Sequence, residues 1–375
     1  MILPIFSPVF LITPVFRIVM RIISIVVWLL TIASAFGGKF NPDFFTIPAV
    51  LCLALPWLAI LSGILIIYWI CTQRFIFAAL GVLALVACSG PLALAFPLNS
   101  KKDPTPGKQT FKIISWNVLH TDDIRKPDYP GNRAVEYMIE SGADIICLAE
   151  LNNFSTTELK KATPTQIDSL IRLYPFRAGL SSTDLKIISK YPVDRTGVSY
   201  LSQSGHHRFD FFKVHFPGSK TLDIAMVHLY SYDLTEQERN VMKDMKSVDG
   251  AKTSVKELKG VIRSKLSNAF VQRAGNAEEL RAAINEIRPS APLIVCGDFN
   301  DVSSSWAYNL IKGDDMRDAY AETNFGPTWT YNLHMFYFHI DQMLYRGNLK
   351  ALSLKVGKVN TSDHYPLIGE FEFTK

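Results

Sequence analysis

The chain has 375 residues, 48% of them hydrophobic and 19% charged, with a formal net charge of +5. That length exceeds one average domain, so two structural regions are expected. Residues 1–100 carry only the cations Arg17, Arg21, Lys39 and Arg74 and the anion Asp43, so +2 of the +5 is left for the remainder. A nearly neutral C-terminal part excludes a broad basic footprint for nucleic acid, though not a locally basic cleft.

From the N-terminus, the first feature is apolarity. A membrane-spanning helix needs about 20 mostly apolar residues. Runs 18–36, 44–71 and 75–96 satisfy this, with polar breaks only at 37–43 and 72–74. Arg21, near the start of the first run, can snorkel to the interface. Residues 1–97 therefore read as a membrane region with about three transmembrane helices. Residues 1–16 are apolar too, but Pro4, Pro8 and Pro14 argue against a fourth span. Ala33-Ser34-Ala35 matches a small-residue cleavage pattern, so the first run also fits a removed signal segment; the other two would still anchor the chain. Arg17, Arg21 and Arg74 favour a cytoplasmic N-terminus, and three spans then place the large C-terminal region outside the cytoplasm. Lys101, Lys102, Lys108 and Lys112 weigh the other way.

Residues 98–110, rich in Pro, Lys and Thr, read as a linker. Residues 111–375 then alternate short apolar runs with helical stretches. Runs 111–116, 144–148, 186–189, 209–215, 222–227, 293–296, 339–345 and 367–373 have strand character. Residues 133–140 read as a helix with Ala134 and Met138 inward, and residues 234–287 are polar and helical. This mixture predicts an α/β layered domain large enough to bury its own core. Cys52, Cys71 and Cys88 lie in the apolar runs and Cys147 and Cys296 in strand-like ones; none has metal-site spacing, so all five read as small buried hydrophobes.

Polar residues gather where these strands end. Asn117 closes the first, Glu150 follows the second and His228 follows the strand at 222–227. The run at 293–296 leads into Gly297-Asp298-Phe299-Asn300, Asp341 lies in the strand at 339–345, and Ser362-Asp363-His364 precedes the last strand. Singly, each has a structural explanation: Asn117 as a turn residue, Glu150 at a helix start, Asp298 and Asn300 in an Asx turn, Asp363 as a turn cap. Together they read as one rim of a layered domain, where loops build active sites.

In this order, Ser115-Trp116-Asn117, Leu148-Ala149-Glu150, Gly297-Asp298-Phe299-Asn300, Ile340-Asp341 and Ser362-Asp363-His364 resemble the endonuclease/exonuclease/phosphatase superfamily over about residues 111–373. The resemblance implies a four-layer αββα sandwich of the DNase-like kind. It also implies a Mg²⁺- or Mn²⁺-dependent phosphoesterase. Glu150 would be the principal metal ligand, supported by Asn117 and Asp363. Asp298 would orient or deprotonate the attacking water, and Asn300 would donate to the phosphate. His364 would contact the phosphate or act as acid–base, with Asp341 fixing its tautomer, and His228 would stand on the leaving-group side. Two departures stand out. Ala149 replaces the Gln that many members have before the Glu, and the Gly-rich segment before the middle strand is reduced to Ser181-Ser182-Thr183-Asp184.

The expected substrate is a phosphate ester, either nucleic acid or a phospholipid head group, with membrane lipid as the partner of the N-terminal helices. No protein partner is inferable. The alternative from another class is a catalytically silent, membrane-bound binding or scaffolding module on the same fold. Among weaker features, His206-His207-Arg208, His334 and His339 read as loop or structural residues. Trp306, Trp329 and Tyr331 read as core aromatics at least as readily as cleft ones.

Overall fold

The computed structural model describes residues 14–126, 128–154, 159, 161–181, 183–196, 209–232, 265–333 and 336–375. The readings for His206-His207-Arg208, for His334 and for the N-terminal part of the 234–287 stretch fall outside these residues. The chain divides into two compact units near Ala93/Leu94, the second holding nearly all of 94–375.

Among the described residues, the N-terminal part holds five α-helices, α1 Pro14–Phe36, α2 Ile47–Cys52, α3 Leu55–Cys71, α4 Phe75–Ala87 and α5 Ser89–Ala95. Its buried polar groups pair across helices: Thr31 Oγ1 and Ser62 Oγ lie 2.9 Å apart, and Trp69 Nε1 donates to Ser24 Oγ at 2.9 Å. Among the described residues, only α1, extended by a 3₁₀ turn to Lys39, is by itself long and apolar enough to cross a membrane. Three spans are expected from the sequence; the described residues hold one helix that passes this test, or two if the bent pair α4–α5 counts as one. The run at 44–71 breaks between α2 and α3, and the run at 75–96 bends by 71° between α4 and α5. Proline accounts for both breaks. Pro56 and Pro91 lack an amide hydrogen, and their rings crowd the carbonyls of Cys52 and Ala87, one turn earlier.

In the second unit the strands in chain order are β1 Thr110–Asn117, β2 Ile145–Ala149, β3 Phe176–Ala178, β4 Lys186–Ser189, β5 Val193–Arg195, β6 Phe209–Phe216 and β7 Lys220–His228. They continue with β8 Leu293–Asp298, β9 Arg317–Asp318, β10 Tyr331–Leu333, β11 Phe336–Phe338, β12 Asp341–Arg346, β13 Leu349–Val356 and β14 Leu367–Phe373. Two six-stranded sheets form, in the orders β13-β14-β1-β2-β4-β3 and β5-β6-β7-β8-β12-β9, and β10 and β11 pair as a separate hairpin. The pairs β1–β2 and β7–β8 are parallel.

The inward series of both sheets share one core: Phe111 and Ile113 of β1, Ile145 and Cys147 of β2, Ile224 and Met226 of β7, Ile294 and Cys296 of β8, Met343 and Tyr345 of β12. The outward series Ile114, Trp116, Ile146 and Leu148 packs against Ala134, Val135 and Met138 of α6 (Arg133–Glu140) and Leu170 of α7 (Pro164–Leu173). Asn132 caps α6, and a Thr163–Gln166 capping box with Pro164 at the first position starts α7. The 20-residue helix α8, Ser267–Glu286, buries Phe270, Ala274, Ala277 and Leu280, and Arg346 of β12 donates to the Ile284 carbonyl near its end. The domain is thus the mixed α/β sandwich that the alternation of strands and helices predicts.

The segment read as a linker is tied to the second unit along its length. Asn99 N donates to the Asn324 carbonyl, Lys102 Nζ pairs with Glu322 at 2.8 Å, and Thr105 donates through N and Oγ1 to Glu372.

Candidate active site

Side chains alternate along a strand, so the residues that continue each inward series past the apolar core emerge at one end of the sandwich. In β1 the series Phe111, Ile113, Ser115 ends in Asn117; in β7 it ends in His228, in β8 in Asp298, and in β12 it begins with Asp341. Register aligns three of them in one row, since His228 is opposite Asp298 and Asp341 is opposite Asp298. Gly297 is required here. Its φ is +145°, and a Cβ there would lie 1.9 Å from the Val227 carbonyl oxygen.

Glu150 and Asn300 reach the same place by leaving the strand pattern. Strand alternation would send Glu150 outward with Leu148, but its φ of 55° turns the carboxylate to Asn117, whose Nδ2 donates to Glu150 Oε1 at 2.8 Å. Non-glycine residues with positive φ are strained and cluster at functional sites. Asn300 also has φ 50°; its amide donates to Asp298 Oδ1 at 2.8 Å and its Nδ2 to the Leu229 carbonyl. Ser362 anchors the last loop by donating to the Asn117 carbonyl at 2.8 Å, and the His364 amide donates back to Ser362 Oγ. Trp116 Nε1 donates to the His364 carbonyl at 3.0 Å, which ties β1 to the loop that carries His364.

The two histidines are mounted alike. His364 Nδ1 lies 2.8 Å from Asp341 Oδ2, and its Nε2 faces Asp298 Oδ2 at 3.5 Å. His228 Nδ1 lies 2.6 Å from Asp184 Oδ2, and its Nε2 faces Glu150 Oε1 at 3.7 Å. Each imidazole is therefore held from behind by a carboxylate and presents Nε2 to the centre, where Asn117 Nδ2 also reaches Asp298 at 3.2 Å.

Electrostatics follow from this crowding. Burial alone would lower the His228 pKa, but the Asp184 charge and hydrogen bond, with Asp298 and Glu150 behind them, raise it to about 9. His364 is likewise raised well above the ordinary imidazole range: burial opposes this, and Asp341 and Asp298 outweigh it. Burial lifts Asp298 above the usual carboxylate range and Asp341 adds to it, against the pull of His364 and His228. Asp363 is lifted by burial and by the charges of Glu150 and Asp298, against His364.

The donor chemistry fits a divalent cation. Glu150, Asp298, Asp363, Asp341 and Asp184 bring five carboxylates against two imidazoles, a negative excess that a hard, oxygen-preferring cation offsets. Ligand atoms of Asp298, Asp341 and His364 lie within 4.8 Å of one another, but His364 and Asp341 are already committed to each other by a hydrogen bond. Glu150, whose charge reaches Asp363, offers oxygen donors that could hold such an ion. Asn117 turns its Nδ2 toward Glu150 while its Oδ1 accepts from Leu119 N, so it stands as the support of that carboxylate.

Two contributors escaped the sequence reading, and a third, Tyr331, reads there only as a cleft or core aromatic. Asp184 was visible only as part of a shortened loop. Buried Thr330 accepts from the amides of both Ile340 and Asp341, fixing the start of β12. Tyr331 bridges His364 along the backbone and sets its ring edge-on to the imidazole at 5.1 Å. His339 packs against the Tyr320 ring at 4.8 Å, and burial lowers its pKa against the pull of Asp318 and Asp341.

The sequence model of the Endonuclease/Exonuclease/phosphatase family matches residues 114–364, and that of a Domain of unknown function (DUF8431) matches residues 16–94. No curated protein matches the chain by sequence. Similar solved structures include an endonuclease/exonuclease/phosphatase from Beutenbergia cavernae, at 15% identity and TM-score 0.45, covering 71% of this chain and 72% of that one. D. rerio TDP2 complexed with single strand DNA product is similar at 16% identity and TM-score 0.46, covering 70% and 99%. Sphingomyelinase C from Streptomyces griseocarneus is similar at 11% identity and TM-score 0.44, covering 70% and 99%. The family match spans most of the chain and all eight residues picked out by the strand ends, and the chain belongs to the Endonuclease/Exonuclease/phosphatase family of metal-dependent phosphoric ester hydrolases.

Proposed function

We propose that this protein is a membrane-held phosphoesterase that hydrolyses a phosphate ester by attack of water at the centre defined by Asn117, Glu150 and Asp298. One observation carries the reading: two carboxylate-backed imidazoles, His228 and His364, turn Nε2 to this centre, one facing Glu150 and the other Asp298. Glu150, with Asp363 and Asp298 beside it, would hold Mg²⁺ or Mn²⁺, and Asn117 would keep Glu150 in place. When bound, such an ion supplies positive charge to the phosphoryl oxygens.

The remaining chemistry belongs to the side chains. Asp298, raised by burial, is a better proton acceptor than an ordinary carboxylate and takes the proton of the attacking water. His364, its Nδ1 fixed on Asp341, donates from Nε2 to a phosphoryl oxygen as charge builds. His228, charged at neutral pH through Asp184, delivers its Nε2 proton to the leaving oxygen. Asn300 holds the Asp298 turn through its backbone amide, and its side chain braces the Leu229 carbonyl.

The membrane reading rests on the first unit. Its outward faces leave Ile22 57%, Ile67 62% and Leu83 63% exposed, an apolar surface that lipid would cover. The basic residues Arg17 and Arg21 near the start of α1 favour a cytoplasmic N-terminus, and with α1 as the single span the catalytic domain lies outside. That placement favours a substrate presented at the lipid surface, such as a phospholipid head group.

Full-length protein in detergent or vesicles, given Mg²⁺ or Mn²⁺, should turn over phospholipid head groups faster than DNA or RNA of equal phosphate content. Faster turnover of nucleic acid would reverse the substrate assignment. Lack of turnover on every ester, with metal bound, would indicate the silent binding module. Recovery of the chain in the soluble fraction after carbonate extraction would remove the anchor.

A further inference from the structure

Arg273 of α8 is fully buried, although arginine is among the residues least often found inside. Its guanidinium carbon lies 4.3 Å from the Tyr232 ring centre and 4.6 Å from that of Phe270. Nε faces Asp301 Oδ2 at 3.7 Å and donates to the Ala269 carbonyl at 3.3 Å. Nη1 and Nη2 have no hydrogen-bond partner among the described residues. Asp301 is also buried, and its other oxygen accepts from the Val302 amide at 3.0 Å.

Stability is a poor reason to keep such a pair. Desolvating two charges costs more than a loosely bonded pair returns, and apolar replacements of buried ion pairs are often neutral or stabilising. The location offers a better reason. Tyr232 lies four residues beyond His228 on the segment leaving β7, and Asp301 lies three residues beyond Asp298 on the turn leaving β8. Arg273 touches both exits. The turn it meets is strained at Asn300 and carries the Asp298 carboxylate.

We propose that Arg273 is a positioning residue for the reaction: by holding Asp301 and Tyr232 it fixes the Asp298–Asp301 turn, and with it the carboxylate that accepts the proton of water. This rests on the functional reading above. Misplacing a reacting group by about 1 Å costs on the order of 100-fold in rate, so a clamp on this turn acts on turnover rather than on substrate binding.

The test uses the full chain in detergent with Mn²⁺ and a generic aryl phosphodiester, and compares wild type with Arg273→Met, Arg273→Lys and Arg273→Met/Asp301→Asn. Arg273→Met should lower kcat on the order of 10- to 100-fold with KM within about twofold. Arg273→Lys should recover part of the loss. The peptide covering residues 297–303 should exchange its amide hydrogens faster in Arg273→Met, with β1 and β2 unchanged. The double variant should regain melting temperature but not kcat. A folded Arg273→Met chain with wild-type kcat, unchanged exchange at 297–303, or a double variant that regains kcat along with stability would overturn the proposal. If the wild type hydrolyses no phosphate ester, the functional reading fails, and the exchange comparison alone decides whether Arg273 clamps the turn.

Discussion

Each imidazole in the site has its own carboxylate, and the two pairs were not equally legible. Asp341 and His364 lie in motifs with fixed neighbours, Ile340-Asp341 and Ser362-Asp363-His364, so their types and order are readable in one dimension. Asp184 precedes β4 in a loop with no such neighbours, and only the fold brings it to His228 Nδ1 at 2.6 Å. Asp184 is what raises His228 to about 9, above the ordinary imidazole value of 6.5. Sign matters here: a raised imidazole pKa means that the His228–Asp184 contribution to stability is complete below pH 6.5 and is lost as pH rises through about 9. As a proton donor, His228 should also set an alkaline fall in rate near that pH. Asp184→Asn should move this fall to lower pH, toward about 6.5, measured as kcat against pH. An unmoved alkaline limb would show that His228 is not the group titrating.

At the scale of elements, periodicity found the central strands because their inward series are apolar for several residues and then turn polar. The short edge strands β3, β5 and β9 have two or three residues each, too few for alternation to show. β13, which has eight, was missed because its alternation is broken by a register shift between Ala351 and Ser353. In the N-terminal unit, composition identified the apolar runs but overlooked that Pro56 and Pro91 interrupt them as helices. Where elements meet at the site, Gly297 sets a limit on the sequence. Gly297→Ala should destabilise the domain by about 3 kcal/mol, since it combines an unfavourable φ with a clash on the Val227 carbonyl. A thermal melt checks this, and an unchanged melting temperature would mean that β7 and β8 separate freely at this point. Removing the Thr330 hydroxyl with Thr330→Val should leave the Ile340 and Asp341 amides without their acceptor, costing about 1–3 kcal/mol. It should also reduce turnover, because Asp341 begins at that point; a stable, fully active Thr330→Val chain would contradict this account of β12.

For the molecule as a whole, the division into an apolar unit and a phosphoesterase domain was readable from the distribution of charge, because only five charged residues precede position 101. The tethering of residues 98–110 was not, since a Pro- and Lys-rich stretch has the same composition whether it is free or tied down. Its partners Asn324, Glu322 and Glu372 are more than 200 residues away in sequence. Orientation belongs to this scale too. A reporter fused after Lys375 should be active on the extracytoplasmic side, and activity on the cytoplasmic side would invert the proposed topology.

The central claim is that water attacks a phosphate ester at a divalent-cation site held by Glu150, between His228 and His364. Its most direct measurement is the Mn²⁺-dependent hydrolysis of an aryl phosphodiester by the full chain, before and after chelation, with Glu150→Ala and His364→Ala beside it. Chelation should abolish turnover and added Mn²⁺ restore it, while each substitution should lower kcat by at least about 100-fold with the fold intact. Turnover that survives chelation, or that persists in both variants, would contradict the account.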